Sequence, residues 1–238
     1  MFKSFGIGAL LLVLAACGAP RPRHAQPQNP DRAAGSLDSQ FSGKVYRVDE
    51  GQSELRVLVY RAGPLARFGH NHVVVNRALR GTVNLADGAS GFWLNVPVAD
   101  FVVDDAQARR EEGADFVAEV PDEAKSGTMQ NMQGTAVLDA AEFPMLTINS
   151  IDVPAPQGMS GSGSMIAGVE ISVAGHESKV DVPFTFRIDS NRLFATGSFE
   201  LRQSALGLTP YSLMLGALQV QDAMTIKFKI VAVEGAAS

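Results

Sequence analysis

The chain has 238 residues, of which 46% are hydrophobic, and its formal net charge is −5. From residue 45 onward, 15 Lys and Arg stand against 23 Asp and Glu, a net charge of −8. An acidic surface without a basic cluster repels phosphate backbones, so we expect no nucleic-acid partner. This length makes one domain that can bury a core or enclose a cavity.

The N-terminus has the features of a secretory signal. Lys3 precedes an apolar run at residues 5–16 that is too short to cross a bilayer but typical of a signal-peptide core. The run ends in the letters LAAC, which resemble the lipobox of bacterial lipoproteins. We therefore predict a signal peptide at residues 1–16 and a lipid on Cys17; the alternative is a plain signal peptide with a chance cysteine. Gly18 in place of an aspartate favours the outer membrane.

A linker follows the predicted anchor. Residues 18–42 are poor in apolar side chains and contain four of the twelve prolines. A flexible tether of this length reaches roughly 30 Å. Because Cys17 is the only cysteine, no internal disulfide is expected and the fold depends on core burial. We expect a lipid-anchored, periplasm-facing protein of a bacterial cell envelope, with anchor and linker at residues 17–44 and the folded domain at 45–238.

Period-two alternation is the strongest signal in the domain and predicts half-buried β-strands. In residues 180–188, VDVPFTFRI, every even position is apolar, and residues 193–201 alternate with the opposite parity after a turn at 189–191. Eight or nine segments alternate in this way, among them residues 165–173 and 224–230. Each has one apolar face, so these faces must meet in a two-sheet sandwich or a closed barrel, and closure also removes exposed edges.

The acidic segment at residues 104–134 breaks the alternation and predicts two short helices outside the strands. Asp104 and Asp105 are start signals for the first helix, and Pro121 with the acidic residues after it is the start signal for the second. Nine acidic residues lie within residues 100–123 against two arginines. This composition favours a solvated face over a binding role.

Catalytic signatures are missing from the sequence. The Gly- and Ser-rich stretch around Ser160 lacks the spacing of a nucleophile elbow and of a dinucleotide fingerprint, and the chain has no HExxH or CxxC motif. No serine or cysteine nucleophile can be paired with a histidine base. We therefore expect a protein that is not an enzyme and that needs no cofactor.

The histidines allow two interpretations. His70 and His72 are two residues apart in FGHNHVVV, so in an extended chain they share a face, and with His176 from a distant turn they could bind one metal ion. If the strand runs unbroken through residues 73–83, however, its core-facing parity turns both histidines away from the interior. That parity favours structural hydrogen bonding at the rim, with metal binding as the alternative.

Three segments in a fixed order carry a family resemblance over residues 45–234. The first is YRVDEGQSELRVLVYRAGPLARFGHNH followed by LRGTVNL, the second is AVLDAAEFPMLTINSIDV, and the third is GSGSMIAGVEISVAGHESKVDVPFTF. They resemble, in order, the Y-x-I-D opening, the D-F-F-D-x-x-x-x-P-x-x-x-F-x-S segment and the G-x-L-T-I-x-G-x-x-K-x-V hairpin of the YceI-like family. The motifs are short, but their order over the whole domain is specific.

The resemblance implies an all-β fold, a lipocalin-like antiparallel eight-stranded β-barrel with a short helical insertion. It also implies long apolar ligands such as polyisoprenoids and isoprenoid quinones. A barrel of about eight strands either fills with its own side chains or encloses one small ligand. The helical insertion is longer than is usual in the family, and GHNH replaces the family's glycine, variable residue and aromatic residue, so the ligand's identity stays open.

We therefore predict a binding protein that holds an isoprenoid-like or other amphiphilic lipid in the barrel and contacts the membrane through its lipid anchor. Burial of the lipid tail would contribute about 0.8 kcal/mol per methylene. The alternatives are a filled barrel and a periplasmic metal-binding or stress-response protein that uses the three histidines; a homodimer is left open. The predicted wall residues are Leu94, Val96, Val169, Ile171, Phe184, Phe186, Phe199 and Phe228, and the predicted mouth residues are Phe68, Phe101, Leu213 and Met214.

Overall fold

The described part of the chain is built mainly from β-strands. The computed structural model describes residues 43–86, 89–153 and 161–235, so the predicted signal peptide, Cys17 and residues 18–42 of the linker lie outside the described residues. The strands are β1 (Lys44–Val48), β2 (Glu54–Ala62), β3 (His72–Asn76), β4 (Arg80–Ala86), β5 (Ala89–Pro97), β6 (Val102–Val103), β7 (Met145–Asp152), β8 (Gly161–Val173), β9 (His176–Asp189), β10 (Arg192–Arg202), β11 (Ser212–Leu213) and β12 (Leu218–Glu234). The helices of these ranges are α1 (Ala106–Glu111) and α2 (Asp122–Gln133). Neither they nor any other described helix has the length and apolar character needed to cross a membrane.

The strands close into one antiparallel barrel. Neighbours follow the order β1-β4-β5-β7-β8-β9-β10-β12, and β1 pairs back onto β12, which completes a ring of eight. β2 continues β1 along β12, while β3 pairs with β2 and β4 pairs with β1, so two positions of the ring are each made of two successive strands. The short β6 and β11 add to β3 and β12. The predicted eight-stranded barrel is confirmed.

The period-two pattern sorts side chains between the interior and the solvent. In β9, Val182, Phe184 and Ile188 face the interior, whereas Thr185 and Arg187 between them are exposed. Because every strand of the ring repeats this pattern, the apolar faces meet inside the barrel. A large cluster of buried apolar side chains runs along the interior, and a smaller one lies at the end where β1 pairs with β4.

A break between β3 and β4 changes which residues face the interior. β3 ends at Asn76, whose buried side chain accepts a hydrogen bond from the Ala78 amide (2.9 Å) and donates one to the Pro97 carbonyl (2.8 Å). These bonds replace the strand ladder locally, and pairing resumes in β4 with the parity shifted. Val74 and Val83, which an unbroken strand would place on opposite faces, therefore both face the interior.

The expectation of an unbroken strand over residues 73–83 is thus wrong. Val73 and Val75 lie on the outer face, in a separate buried cluster beneath α1 and the 3₁₀ turn that follows it. His72 is two residues from Val74 in β3, so it lies on the same, inner side of the strand. The prediction from an unbroken strand had placed it on the outer side.

The helices begin where the sequence predicts. The Asp105 side chain accepts a hydrogen bond from the Ala108 amide (2.9 Å) at the start of α1, and Pro121 stands directly before α2. α1 lies on the outer face of the barrel, as expected. α2 instead contributes Met132 to the wall of the interior, so it covers one end of the barrel.

Buried carboxylates tie the acidic segment to the barrel. The side chain of Glu112 is 2% exposed and forms ion pairs with Arg56 of β2 (2.6 Å) and Lys227 of β12 (2.5 Å). Asp104 is fully buried and pairs with Arg109 of α1. The interpretation of this segment as a solvated face is therefore wrong for these two carboxylates, because they hold α1 against the strands.

Candidate ligand-binding cavity

The barrel is hollow. It encloses a cavity of about 270 Å³, and the described residues of its wall are apolar apart from Ser90 and Gln203. The wall extends from Leu193 near the start of β10 to Leu206 just beyond its end. Five inward-facing phenylalanines are only partly buried because they border this space; they are Phe92, Phe184, Phe186, Phe199 and Phe228. The interior is thus not filled by its own side chains.

Most of the predicted site residues lie on this cavity. Eight of the twelve line its wall: Leu94, Phe101, Val169, Ile171, Phe184, Phe186, Phe199 and Phe228. Val96 is fully buried in the core beside it. The structure therefore brings these side chains together, while their role in binding stays a prediction.

Three predicted mouth residues lie elsewhere. Phe68, Leu213 and Met214 are exposed and do not line the cavity. The loop after β2 packs on the loop before β12, with the Leu65 amide donating a hydrogen bond to the Ala217 carbonyl (2.8 Å). Because none of the three lines the cavity, their predicted placement at its mouth is wrong.

Several wall residues were not predicted from the sequence. Met165, Val182 and Ile226 continue the same alternation as the predicted residues, so extending that pattern would have found them. Met132 in α2 and Leu206 in a 3₁₀ turn carry no period-two signal. Their place on the wall depends on how these segments cover one end of the barrel.

Two glycines make room for aromatic rings on the wall. A Cβ at Gly197 would lie 2.5 Å from Cε1 of Phe228, its partner on the neighbouring strand. A Cβ at Gly163 would lie 3.1 Å from the ring of Phe186, which is likewise its partner. Each ring therefore lies over bare backbone, a close approach that glycine allows.

The wall opens between β9 and β10. Their pairing ends at Thr185 and Thr196, although β9 continues along β8 as far as His176 and β10 continues along β12 as far as Arg202. Pro183 lies just beyond the last pair and has no amide hydrogen to donate. Proline is tolerated in strands at an edge, where no partner needs its N–H. The two strands therefore separate and leave a side gap.

The side gap has defined limits. At one end the hydroxyls of Thr185 and Thr196 are hydrogen-bonded (2.9 Å). At the other, the His176 ring packs so closely on Gly207 that a Cβ there would lie 2.7 Å from it. A surface groove lies along β8, β9 and β10, and Met165 and Phe184 form part of both the groove and the cavity wall. The groove on the outer face therefore adjoins the cavity at these two residues.

The end of the barrel near β1 is closed by packed side chains. Tyr46 is fully buried there among Leu85, Ile188 and Leu193. Burial raises the pKa of its hydroxyl, and that oxygen has no hydrogen-bond partner among the described residues. The buried hydroxyl of Ser90, on the cavity wall at the same end, likewise has no partner in the described part of the chain. These are unpartnered polar atoms beside an otherwise apolar space.

His72 ties β3 to α2. Its Nδ1 lies 2.6 Å from a carboxylate oxygen of Asp104, and its Nε2 lies 3.2 Å from the hydroxyl of Thr128. Burial alone would raise the pKa of Asp104, but hydrogen bonds from His72 and the Val73 amide hold it below its ordinary value. Both ring nitrogens have protein partners, an arrangement that agrees with structural hydrogen bonding.

The three histidines do not form a metal site. The rings of His70 and His72 are 6.0 Å apart between centroids, and burial lowers the pKa of His70. His176 packs at the turn between β8 and β9 instead. Among the described residues, no group of three or more His, Cys, Asp or Glu is arranged to hold a metal ion.

Comparison with known proteins agrees with this architecture. Residues 46–232 match the YceI-like domain. The structure resembles Burkholderia cenocepacia BcnA with a TM-score of 0.54 and 17% identity, covering 78% of this chain and 99% of that one. It also resembles a polyisoprenoid binding domain from Saccharophagus degradans that is implicated in plant cell wall breakdown, with a TM-score of 0.55, 10% identity, and coverage of 80% and 98%.

These structural likenesses establish a shared fold. No curated protein sequence matches the chain significantly. The family match, by contrast, spans almost the whole of the barrel, from Tyr46 in β1 to Ala232 in β12. On that basis the chain belongs to the YceI-like domain family.

Proposed function

We propose that this protein binds one elongated, isoprenoid-like lipid in the barrel and has no catalytic role. The observation that carries the proposal is the cavity of about 270 Å³ with a wall of apolar side chains. Transfer of a lipid tail from water to such a wall is worth about 0.8 kcal/mol per methylene. The name of the Saccharophagus degradans neighbour, a polyisoprenoid binding domain, supports the same class of ligand.

The side gap gives the ligand a route to the cavity. Ligand pockets commonly have volumes of about 300–1,000 Å³, so this cavity lies at the small end of that range. A long lipid would therefore fill the interior and continue through the gap into the groove along β8 to β10. Met165 and Phe184, which border both spaces, would contact the chain where it crosses the wall.

We further propose that the protein acts in a bacterial envelope, tethered through a lipid on Cys17. Support comes from the signal-like residues 1–16, the LAAC letters and the linker-like composition of residues 18–42. The barrel would then stand off the membrane on its tether and exchange lipid with it.

Organic extraction of the purified protein followed by mass spectrometry tests the ligand proposal. Val169→Trp adds bulk to the cavity wall, whereas Ile151→Trp, at an exposed position on the neighbouring strand β7 that lines neither the cavity nor the groove, is the matched control. We expect a stoichiometric apolar lipid with the wild type and with Ile151→Trp, and loss of that lipid with Val169→Trp. Equal lipid content in both variants, or no lipid in the wild type, contradicts the proposal.

A further inference from the structure

Four large apolar side chains stand in solvent at one end of the barrel. Phe68 is 63% exposed, and Leu213, Met214 and Leu215 are 45%, 72% and 109% exposed. Single exposed apolar residues are ordinary on protein surfaces, but several together mark an interaction site. These four residues are called the apolar tip below.

The apolar tip is one surface made by two loops. The loop after β2 and the loop before β12 are joined by the hydrogen bond from the Leu65 amide to the Ala217 carbonyl. The first of these loops leads directly into β3, which the bond between His72 and Thr128 ties to α2. The tip therefore lies at the end of the barrel that α2 covers.

The backbone holds part of the tip in a rarely used conformation. Met214 and Leu215 have φ angles of 51° and 55°, in the left-handed region that disfavours residues with a Cβ. Two such residues in succession present Leu215 wholly to solvent, where it packs on nothing. Strain that serves no packing purpose points to a functional role for the exposed side chains.

The two loops carry only positive charge. Residues 61–70 contain Arg61 and Arg67 and no acidic residue, and residues 209–221 contain no charged residue. The guanidinium of Arg67 lies 4.6 Å from the ring centroid of Phe68, so a cation is held directly beside an exposed apolar ring. This local charge is opposite to the net charge of −8 over residues 45–238.

We propose that the apolar tip docks the protein on a lipid bilayer that contains anionic lipids. Apolar side chains enter the boundary between headgroups and acyl chains, and nearby arginines are attracted to the negative surface. A fluid bilayer can accommodate side chains that protrude separately, because its lipids rearrange around each of them. Docking of this kind acts independently of the proposed lipid on Cys17 and of any ligand in the cavity.

Site-specific fluorescence tests the docking. Cys17→Ser in the full chain removes the only cysteine, and Leu215→Cys then carries an environment-sensitive dye; Ile151→Cys, at an exposed position on β7 outside the cavity and the groove, is the matched control. With vesicles of phosphatidylglycerol and phosphatidylcholine, we expect brighter, blue-shifted emission from the dye at position 215 and no change in emission from the dye at position 151. No change at 215, equal changes at both positions, or an equal response to pure phosphatidylcholine overturns the proposal.

Vesicle sedimentation gives a second readout without a dye. In the Cys17→Ser chain, Leu215→Asp is expected to weaken binding to the anionic vesicles at least about tenfold. Arg67→Gln should weaken it about fivefold. Ile151→Asp, at an exposed position outside the cavity and the groove, should leave it unchanged, and circular dichroism checks that each variant folds. The apolar residues 5–16 contribute equally to binding in every variant, so the effect of the tip is the difference between Leu215→Asp and Ile151→Asp. Equal binding by these two variants rejects the tip as the docking surface.

Discussion

Pro183 and Gly197 meet where β9 and β10 separate, with the Pro183 carbonyl oxygen 2.8 Å from the position that a Cβ on Gly197 would take. One residue lacks the amide hydrogen of a strand ladder, and the other lacks a side chain to pack on a partner. Together they let the two strands approach closely without pairing. The side gap of the barrel begins at this contact.

The space at Gly197 is needed by its neighbours. A Cβ there would meet both the Phe228 ring and the Pro183 carbonyl, so Gly197→Ala is expected to lower the free energy of unfolding by about 1–3 kcal/mol. Gly127→Ala, in α2 with no atom within 4 Å of the new Cβ, should raise it by up to about 1 kcal/mol. Urea unfolding measures both values, and equal effects would contradict the close contact.

Access to the cavity should depend on pairing at the side gap. Pro183→Val restores an amide donor to β9, and we expect release of a bound fluorescent lipid to slow because the ladder with β10 can extend. Thr185→Val removes the hydroxyl hydrogen bond to Thr196 at one end of the gap. Because such a bond contributes about 1 kcal/mol, lipid release should become about fivefold faster. Stopped-flow mixing measures the rates. Unchanged rates in both variants would place the route elsewhere.

Asp104 should make stability depend on acid pH. Its folded-state pKa lies below the ordinary value of 3.8, so its stabilising effect is complete above that value and is lost as pH falls through the folded pKa. We expect the unfolding free energy of the wild type to fall below about pH 4 more steeply than that of Asp104→Asn. Urea unfolding between pH 2 and pH 7 compares them, and parallel curves would show that this carboxylate does not contribute.

Glu112 is expected to hold α1 on the barrel. Glu112→Gln removes a buried charge that pairs with Arg56 and Lys227. Arg56 keeps Glu54 and Glu111 as partners and Lys227 is partly exposed, so we expect a cost of about 2 kcal/mol. Glu123→Gln, at an exposed position of α2, should change stability by less than about 0.5 kcal/mol. Hydrogen exchange of the α1 amides should rise only in the first variant. The same exchange in both would exclude this anchoring role.

Much of the barrel could be predicted from the sequence because its long strands alternate strictly. In β9 and β10 the alternation identified the inward side chains, among them Phe184 and Phe199, which do line the cavity. The break at Asn76 was not predicted, since it depends on side-chain hydrogen bonds to Ala78 and to the distant Pro97. Alternation cannot report such a long-range bond, so the parity of β3 was assigned incorrectly.

The site was less predictable at its loops and openings. Phe68 and Met214 lie in segments without periodicity, where only the packing of two distant loops decides whether a side chain is exposed. The side gap did carry a signal in the sequence. Pro183 interrupts an alternating run, and proline in such a run indicates an unpaired edge. The presence of the cavity itself depends on the total volume of the inward side chains, which alternation does not measure.

β12 also constrains how the molecule folds. This one segment, close to the end of the described chain, pairs with β10 from Ala223 to Val233 and with β1 and β2 from the opposite end of the domain. The ring cannot close until residues 184 to 188 positions apart in the sequence have paired. Such non-local pairing makes a slow search, on the order of milliseconds to seconds. Before β12 pairs, the apolar side chains of the inner surface are exposed to water. The partly folded protein is then prone to aggregation.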